Sequence, residues 1–234
     1  MVNNQIHIIM PVKDSIELTL KSITAILQAG YTLTVYNDNS SSENTRILHE
    51  WSSKWNFTLV DICDITTHPS PNYLTILQLA QKHAIQQKQH LVIIESDVVI
   101  GNQTIQQMVD QVESGVGMVA AITVDEEGNI NFPYQYARRW KKTVHETNKR
   151  FSFCCTLLTN EYLNLYSFEL LDPDKNWYDV FISHRSIDLG LKNRLMVNNS
   201  VTHYPHSSRP WKLLKYTHPL RYYWRKITQK IDKI

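Results

Sequence analysis

The sequence contains little cysteine and little glycine. Its three cysteines, Cys63, Cys154 and Cys155, are odd in number and form no C-x-x-C pair. A disulfide framework or a zinc site is therefore not expected, and we interpret all three as reduced core thiols of a cytosolic protein. The six glycines form no G-x-G-x-x-G motif, which argues against a Rossmann-type redox enzyme.

Long apolar runs are also missing. No stretch of 18 consecutive apolar residues occurs, so no membrane-spanning helix is predicted. The first 14 residues have too short an apolar stretch for a signal peptide and no cleavage site. The composition, with 42% hydrophobic and 20% charged residues over 234 positions, is typical of a folded chain long enough to bury a substantial core.

The charge is unevenly distributed. The formal net charge is +2, but the segment 209–234 carries +7, which leaves −5 on residues 1–208. We therefore expect two parts, a main domain over 1–208 and a basic tail over 209–234. Such a tail favours anionic partners such as phospholipid or nucleic acid.

Strand-like and helix-like segments alternate along the first half of the chain. Apolar runs at Gln5–Met10, Leu33–Tyr36, Phe57–Ile62 and Leu91–Val99 are separated by segments with helical spacing. This order predicts an α/β fold with a doubly wound, mostly parallel central sheet and helices on both faces. Residues 130–150 are polar, aromatic and basic, and we expect a mobile loop there.

The run Leu91–Val99 is interrupted by Glu95, Ser96 and Asp97. A strand buried on both faces that ends in acids places carboxylates at the carboxyl edge of the sheet, where α/β folds bind ligands. In an extended chain, residues two apart point the same way, and such carboxylates can hold a divalent cation. An acidic surface turn is the alternative.

Taken in order, these features resemble the family 2 glycosyltransferases with the GT-A fold. The similarity covers about Gln5 to His206 and rests on the order and spacing of short motifs. These are a first strand ending in proline, a second ending in Asn-Asp-Asn-Ser, the acid-x-acid strand, an aromatic-acid pair before a helix, and a last strand leading to histidine.

The resemblance implies a nucleotide-sugar site. Asp38 would accept hydrogen bonds from the base or ribose, and Pro11, Val12 and Asp14 would pass the edge of the nucleotide. Alternatively, Asp38 forms an Asx-turn or caps a helix, and Asp14 is simply a helix cap.

It also implies a Mn²⁺ or Mg²⁺ cofactor that bridges the diphosphate, with Asp97 and His203 as ligands. Glu95, Ser96 and Asp97 would in addition contact the nucleotide sugar. The family usually has aspartate where this chain has Glu95, so its contact could be metal, sugar or ribose. His206 is a weaker candidate ligand, and both histidines could equally be surface residues.

Asp179, in Trp177-Tyr178-Asp179, matches the catalytic base of the family. It would deprotonate the acceptor hydroxyl in a single, inverting displacement. Tyr178 replaces the usual glutamate, and a helix N-cap is the alternative reading of Asp179. The implied activity is transfer of a hexose-type unit, with a UDP-sugar as the expected donor and a glycan or lipid-linked acceptor of the cell envelope, in polysaccharide biosynthesis.

Two basic regions have uncertain roles. Arg138, Arg139, Lys141 and Lys142 could close over the diphosphate or form a solvated loop.

In the tail, six apolar residues fall within an arc of roughly 100° on a helix, which predicts either an interfacial membrane helix or a helix packed on its own domain. The six are Leu220, Tyr223, Trp224, Ile227, Ile231 and Ile234. We expect a cytoplasmic protein, with the tail as candidate contact to the inner face of the plasma membrane.

Other functions stay open. A GT-A-like nucleotidyltransferase would have a Gly-rich loop after the first strand, whereas this chain has no glycine before Gly30. A nucleic-acid binder would spread aromatic and basic residues over a groove, whereas the main domain is net acidic, so no nucleic-acid partner is expected. A catalytically inactive GT-A-like partner subunit is a third possibility, because Glu95 and Tyr178 depart from the family pattern.

Overall fold

The computed structural model describes residues 4–204 and 218–228. We number nine strands and seven helices in chain order. The strands are β1 (Ile6–Val12), β2 (Thr34–Asn37), β3 (Thr58–Asp61), β4 (His90–Ile94), β5 (Val98–Val99), β6 (Val116–Val124), β7 (Val144–Glu146), β8 (Cys155–Leu158) and β9 (Lys192–His203). The helices are α1 (Ile16–Gln28), α2 (Ser42–Lys54), α3 (Tyr73–Gln86), α4 (Thr104–Val109), α5 (Asn160–Leu165), α6 (Tyr178–Asp188) and α7 (Pro219–Thr228).

All nine strands belong to one sheet, in the order β3-β2-β1-β4-β8-β6-β9-β5, with β7 also paired to β9. Strands β1 to β4 are mutually parallel, β8 runs antiparallel between β4 and β6, and β6 is parallel to β9. The predicted mostly parallel sheet is confirmed. Because β1, β2 and β4 run the same way, the loops at their carboxyl ends meet at one edge.

The sheet is covered on both faces, since its central strands are apolar on both sides. One core cluster packs α1, α2 and α4 against residues such as Ile8 and Val92. The second packs α3, α5 and α6 against the opposite side chains, such as Ile9 and Ile93. Alternate residues of one strand thus enter different cores, as expected for strands that are buried on both faces.

Several element boundaries differ from the sequence prediction. The segment Leu91–Val99 is two strands, because Val98 N donates to the Glu95 carbonyl at 3.1 Å and closes a turn. The sequence pattern of Val180–Arg194 favours one continuous helix, whereas α6 ends at Asp188. Gly190 follows with a φ of 80°, a left-handed value that residues other than glycine rarely adopt.

The segment 130–150 is more structured than the loop predicted there. It contains a 3-10 turn at Gln135–Ala137 and the strand β7, and Tyr134 is fully buried. The rings of Tyr136 and Trp140 pack edge to face with their centroids 5.5 Å apart. The packing of these aromatic side chains therefore gives the segment a defined structure.

The cysteine prediction is partly wrong. All three cysteines are free, and Cys154 and Cys155 are buried as expected, but Cys63 is exposed. Cys63 lies in a short 3-10 turn after β3, where the chain leaves the sheet and only Ile62 faces the core.

The helices within 4–204 and 218–228 include none that is both long and apolar enough to cross a membrane. In α7, Tyr222 is buried, while Leu220, Tyr223, Trp224 and Ile227 are exposed. The remaining tail residues of the predicted apolar arc, Ile231 and Ile234, lie outside the described residues.

His7, on β1, makes stability depend on pH. Burial, and then the charge of His83 whose ring lies 4.3 Å away, lower the pKa of His7 to about 4. Between the unfolded pKa of about 6.5 and this value the unfolded chain binds a proton that the folded chain does not, so stability falls as the pH drops through this window. We expect His7→Phe, which keeps an aromatic ring, to remove about 1–3 kcal/mol of the loss that urea unfolding measures between pH 7 and pH 4. Parallel pH profiles for the two proteins would contradict this assignment.

Candidate functional site

The site begins where β4 leaves the sheet. The residues Leu91 to Ile94 are fully buried, so the first polar side chains appear at the strand's end. There the turn that starts at Glu95 is tied to α1 by Ser22, whose hydroxyl donates to the Ser96 carbonyl at 3.1 Å. Asp97 is 7% exposed and Glu95 is half-buried. The acids thus lie in a turn rather than in the extended chain that was expected.

Strand pairing brings His203 to this turn. Val98 of β5 lies opposite His203 of β9, and Tyr204 N donates to the Asp97 carbonyl at 2.9 Å. As a result His203 Nε2 lies 3.5 Å from Asp97 Oδ2. The structure therefore places the two predicted metal ligands together. His206 lies outside the described residues.

His203 is held from both sides. Its Nδ1 lies 2.9 Å from the Phe132 carbonyl oxygen. Because a carbonyl can only accept, Nδ1 must carry a proton and donate it, and this bond turns Nε2 toward Asp97. Burial by itself would lower the pKa of His203, but the hydrogen bond and charge of Asp97, the charge of Glu95 and the Phe132 carbonyl together raise it.

Cys154 is a site residue that the sequence did not indicate. Glu95 N donates to the Cys154 carbonyl at 3.1 Å, and the Cys154 thiol in turn donates to Glu95 Oε2 at 3.3 Å. The potential ligand atoms of Glu95, Cys154 and His203 lie within 4.8 Å of one another. Burial, followed by the charges of Glu95 and Asp97, raises the pKa of the Cys154 thiol well above its usual value, so it stays protonated.

Asp38 follows β2 and is 6% exposed. Neither expected local role applies, because Ser41 caps α2 and the Asp38 carboxylate accepts bonds from another loop. It accepts from Ser70 Oγ at 2.7 Å, from Asn72 N at 2.9 Å and from Asn72 Nδ2 at 2.8 Å. Asp38 thereby fixes the loop that precedes α3, a long-range pairing with no local sequence signal.

β1 ends beside Asp38, and its last residues lie where the nucleotide edge was predicted. Asp38 N donates to the Val12 carbonyl at 2.8 Å, and Pro11 pairs with Tyr36 inside β1. The strand therefore continues through the proline that was expected to end it.

Asp14 has a structural role in this arrangement. Its carboxylate accepts from Ser41 N at 2.8 Å and from Asn44 Nδ2 at 3.0 Å, at the start of α2. The Ser41 N–H is the main cause of the lowered pKa of Asp14. Asp14 does not cap α1, whose cap residue, Ser15, makes no side-chain capping bond.

Asp179 is the second residue of α6 and is half-buried. Its neighbour Tyr178 is 7% exposed and belongs to the core, so the position that is glutamate in the resembled family is used here for packing. The charges of Asp179 and of the acidic turn both act on the hydroxyl of Tyr73. Burial, then the charges of Glu95 and Asp179, raise the pKa of the Tyr73 hydroxyl well above its usual value.

The basic side chains of the 130–150 segment are exposed. Arg138 donates through Nε to the Ile130 carbonyl at 2.9 Å, and Arg139, Lys141 and Lys142 point to solvent-exposed surface. This arrangement agrees with a solvated loop, and closure over a diphosphate stays a prediction.

No protein-family model and no curated protein sequence matches this chain. Solved structures do match its fold. A structure of GalNAc-T7 with UDP, GalNAc and Mn²⁺ aligns over 87% of this chain and 44% of its own, with a TM-score of 0.63 at 10% identity. A structure of S. aureus TarS 1-349 with UDP-GlcNAc aligns over 87% of this chain and 60% of its own, with a TM-score of 0.59 at 13% identity. The chain thus spans about half the length of these neighbours, and the predicted GT-A fold is confirmed.

Proposed function

We propose that this protein is an inverting, metal-assisted glycosyltransferase of the family 2 type, which moves a sugar from a nucleoside diphosphate to an acceptor hydroxyl. One observation carries the proposal most directly. Asp97 and His203 meet 3.5 Å apart at the carboxyl end of β4, in a fold shared with structures that hold UDP, or UDP with Mn²⁺. In α/β sheets this edge is the usual ligand site.

Asp38 has the capacity to bind the nucleotide. A carboxylate offers about four acceptor positions, and three are occupied by Ser70 and Asn72. These bonds orient the carboxylate, and one acceptor position remains for a base N–H or a ribose hydroxyl. Pro11 and Val12 would line the same edge through their backbone.

Asp97, Glu95 and His203 are the residues that would hold the cation. Two carboxylates and an imidazole suit Mn²⁺ or Mg²⁺, hard cations that prefer oxygen and nitrogen ligands to sulfur, and the Cys154 thiol would then keep its hydrogen bond to Glu95. A bound cation would stabilise the negative charge that develops on the leaving diphosphate. The Phe132 carbonyl orients the His203 ring for this role.

Asp179 is the proposed general base. Its carboxylate would take the proton from the acceptor hydroxyl as that oxygen attacks the anomeric carbon from the face opposite the diphosphate. A single displacement of this kind inverts the anomeric configuration.

A thermal-shift panel of UDP, GDP, dTDP and CMP, each with and without Mn²⁺, tests the proposal. We expect UDP with Mn²⁺ to raise the melting temperature by about 5–10 °C at a ligand concentration near one hundred times the dissociation constant. UDP without metal should give a much smaller shift. A protein that no nucleotide stabilises, with or without Mn²⁺, would contradict the proposal.

The acceptor is proposed to be a lipid-linked or envelope glycan, reached at an anionic membrane surface. Leu220, Trp224 and Ile227 are 87%, 64% and 78% exposed along one side of α7, and Arg221 beside them is exposed as well. Apolar and aromatic residues next to basic ones are the pattern of interfacial helices.

We expect the full chain to co-sediment with vesicles of 30% phosphatidylglycerol in phosphatidylcholine, on the order of tenfold more than Leu220→Ser/Ile227→Ser does, because each substitution removes apolar area that the membrane would bury. Leu170→Ser is the matched control, since Leu170 is 72% exposed on a different surface. Equal sedimentation of the double variant and the control would show instead that this face of α7 does not bind lipid.

A further inference from the structure

Tyr73 places a buried hydroxyl beside the candidate site. It is the first residue of α3 and directly follows Asn72, whose backbone and side chain both bind Asp38. Its Oη atom is buried and has no hydrogen-bond partner among the described residues. Burying an unsatisfied hydroxyl costs free energy, so such a group calls for a partner, either an ordered water or a ligand.

The surroundings of Tyr73 define where this hydroxyl lies. Its ring stacks on Phe153, with centroids 6.3 Å apart and planes 14° from parallel. Phe153 precedes Cys154, the residue whose thiol donates to Glu95. The ring is thus held against the segment that contacts the acidic turn through Cys154, and a substitution by phenylalanine would keep this packing.

The charges of Glu95, Asp97 and Asp179 all act on this hydroxyl and disfavour the phenolate. Tyr73 is therefore a neutral hydrogen-bond donor. In the proposed function Glu95 and Asp97 would hold the cation and Asp179 would be the base. In an in-line displacement the transferred sugar must lie between the cation-bound diphosphate and the base.

We propose that the Tyr73 hydroxyl donates a hydrogen bond to a hydroxyl oxygen of the sugar that is transferred. This inference rests on the proposed function and deepens it, because it assigns a residue that distinguishes the sugar from the nucleotide. A neutral sugar oxygen suits a neutral donor in an acid-lined site. Asp38 and Asn72 would meanwhile hold the nucleoside end of the same ligand.

Tyr73→Phe distinguishes binding of the sugar end of the UDP-sugar from binding of its nucleotide end. With Mn²⁺ present, isothermal titration would compare UDP with whichever of UDP-glucose, UDP-GlcNAc and UDP-galactose binds wild type best. We expect the variant to bind UDP as wild type does, and its affinity for the UDP-sugar relative to UDP to fall about 5- to 10-fold, as for loss of one neutral hydrogen bond. The melting temperature of the ligand-free variant should be unchanged or slightly higher, because an unsatisfied buried hydroxyl is removed.

Tyr162→Phe is the matched control. The Tyr162 hydroxyl is also buried, but it donates to the Ile182 carbonyl at 2.6 Å, so its removal should lower the melting temperature and leave the affinity ratio unchanged. An unchanged ratio in Tyr73→Phe, or an equal loss for UDP and UDP-sugar, would overturn the sugar contact while leaving the proposed function standing. Failure of wild type to bind any of these nucleotides would overturn both.

Discussion

Replacing Asp97 with asparagine is expected to abolish the Mn²⁺-dependent stabilisation of this protein by UDP. The variant keeps the side-chain shape but removes the charge of the carboxylate that lies 3.5 Å from His203 Nε2. Hard divalent cations depend on anionic oxygen ligands, so a neutral amide should weaken binding by orders of magnitude. The expected wild-type shift of about 5–10 °C with UDP and Mn²⁺ should then fall to the level seen with UDP alone.

The matched control is Asp110→Asn. Asp110 is an exposed aspartate at the end of α4, where its carboxylate accepts a bond from Gln106 at 2.8 Å. This variant should keep the whole Mn²⁺-dependent shift. A full shift in Asp97→Asn would remove Asp97 from the cation site, and a large fall in its ligand-free melting temperature would show that Asp97 is mainly structural. His203→Gln should behave as Asp97→Asn does, though with a smaller loss, because it removes one neutral ligand rather than a charge.

The parts of this fold that follow from local patterns could be predicted from the sequence. An apolar strand that ends in Glu95-Ser96-Asp97 places those polar side chains at the edge of the sheet, and that is where they lie, although Ser96 and Asp97 remain buried there. Gly30, directly after the apolar pattern of residues 16–27, likewise predicts where α1 ends, and it takes the left-handed φ of 84° that is typical of a helix C-terminus.

The contacts that complete the site are long-range, and no local pattern encodes them. His203 reaches Asp97 only because β5 and β9 pair across more than 100 residues of chain. Asp38 binds Asn72 through a loop 34 residues away, although its own neighbourhood favoured a turn or a helix cap. Both cases depend on tertiary geometry that overrides the local preference.

Cys154 and Tyr73 show a second limit of sequence reasoning. Both lie within apolar segments, where buried packing is the ordinary interpretation, and both do pack there. Their polar atoms nevertheless interact with the site, since the thiol donates to Glu95 and the charges of Glu95 and Asp179 act on the hydroxyl. The direction in which a buried side chain points its polar atom depends on which strand or helix packs beside it. The hydrophobic periodicity of the sequence does not contain this information.

The Asp179→Asn variant should bind UDP and Mn²⁺ as wild type does and yet lose on the order of 10²- to 10⁴-fold in turnover, the usual contribution of a general base. Asparagine is isosteric but cannot accept the proton of the acceptor hydroxyl. Turnover is measured as release of UDP from the preferred UDP-sugar, first with water and then with simple glycosides as acceptors. Asp188→Asn, at the exposed far end of the same helix, is the control and should keep full turnover. If Asp179→Asn retains wild-type kcat, another group removes the proton. If wild type binds UDP with Mn²⁺ but releases none from any UDP-sugar, the chain is better explained as a nucleotide-binding partner subunit with the same fold.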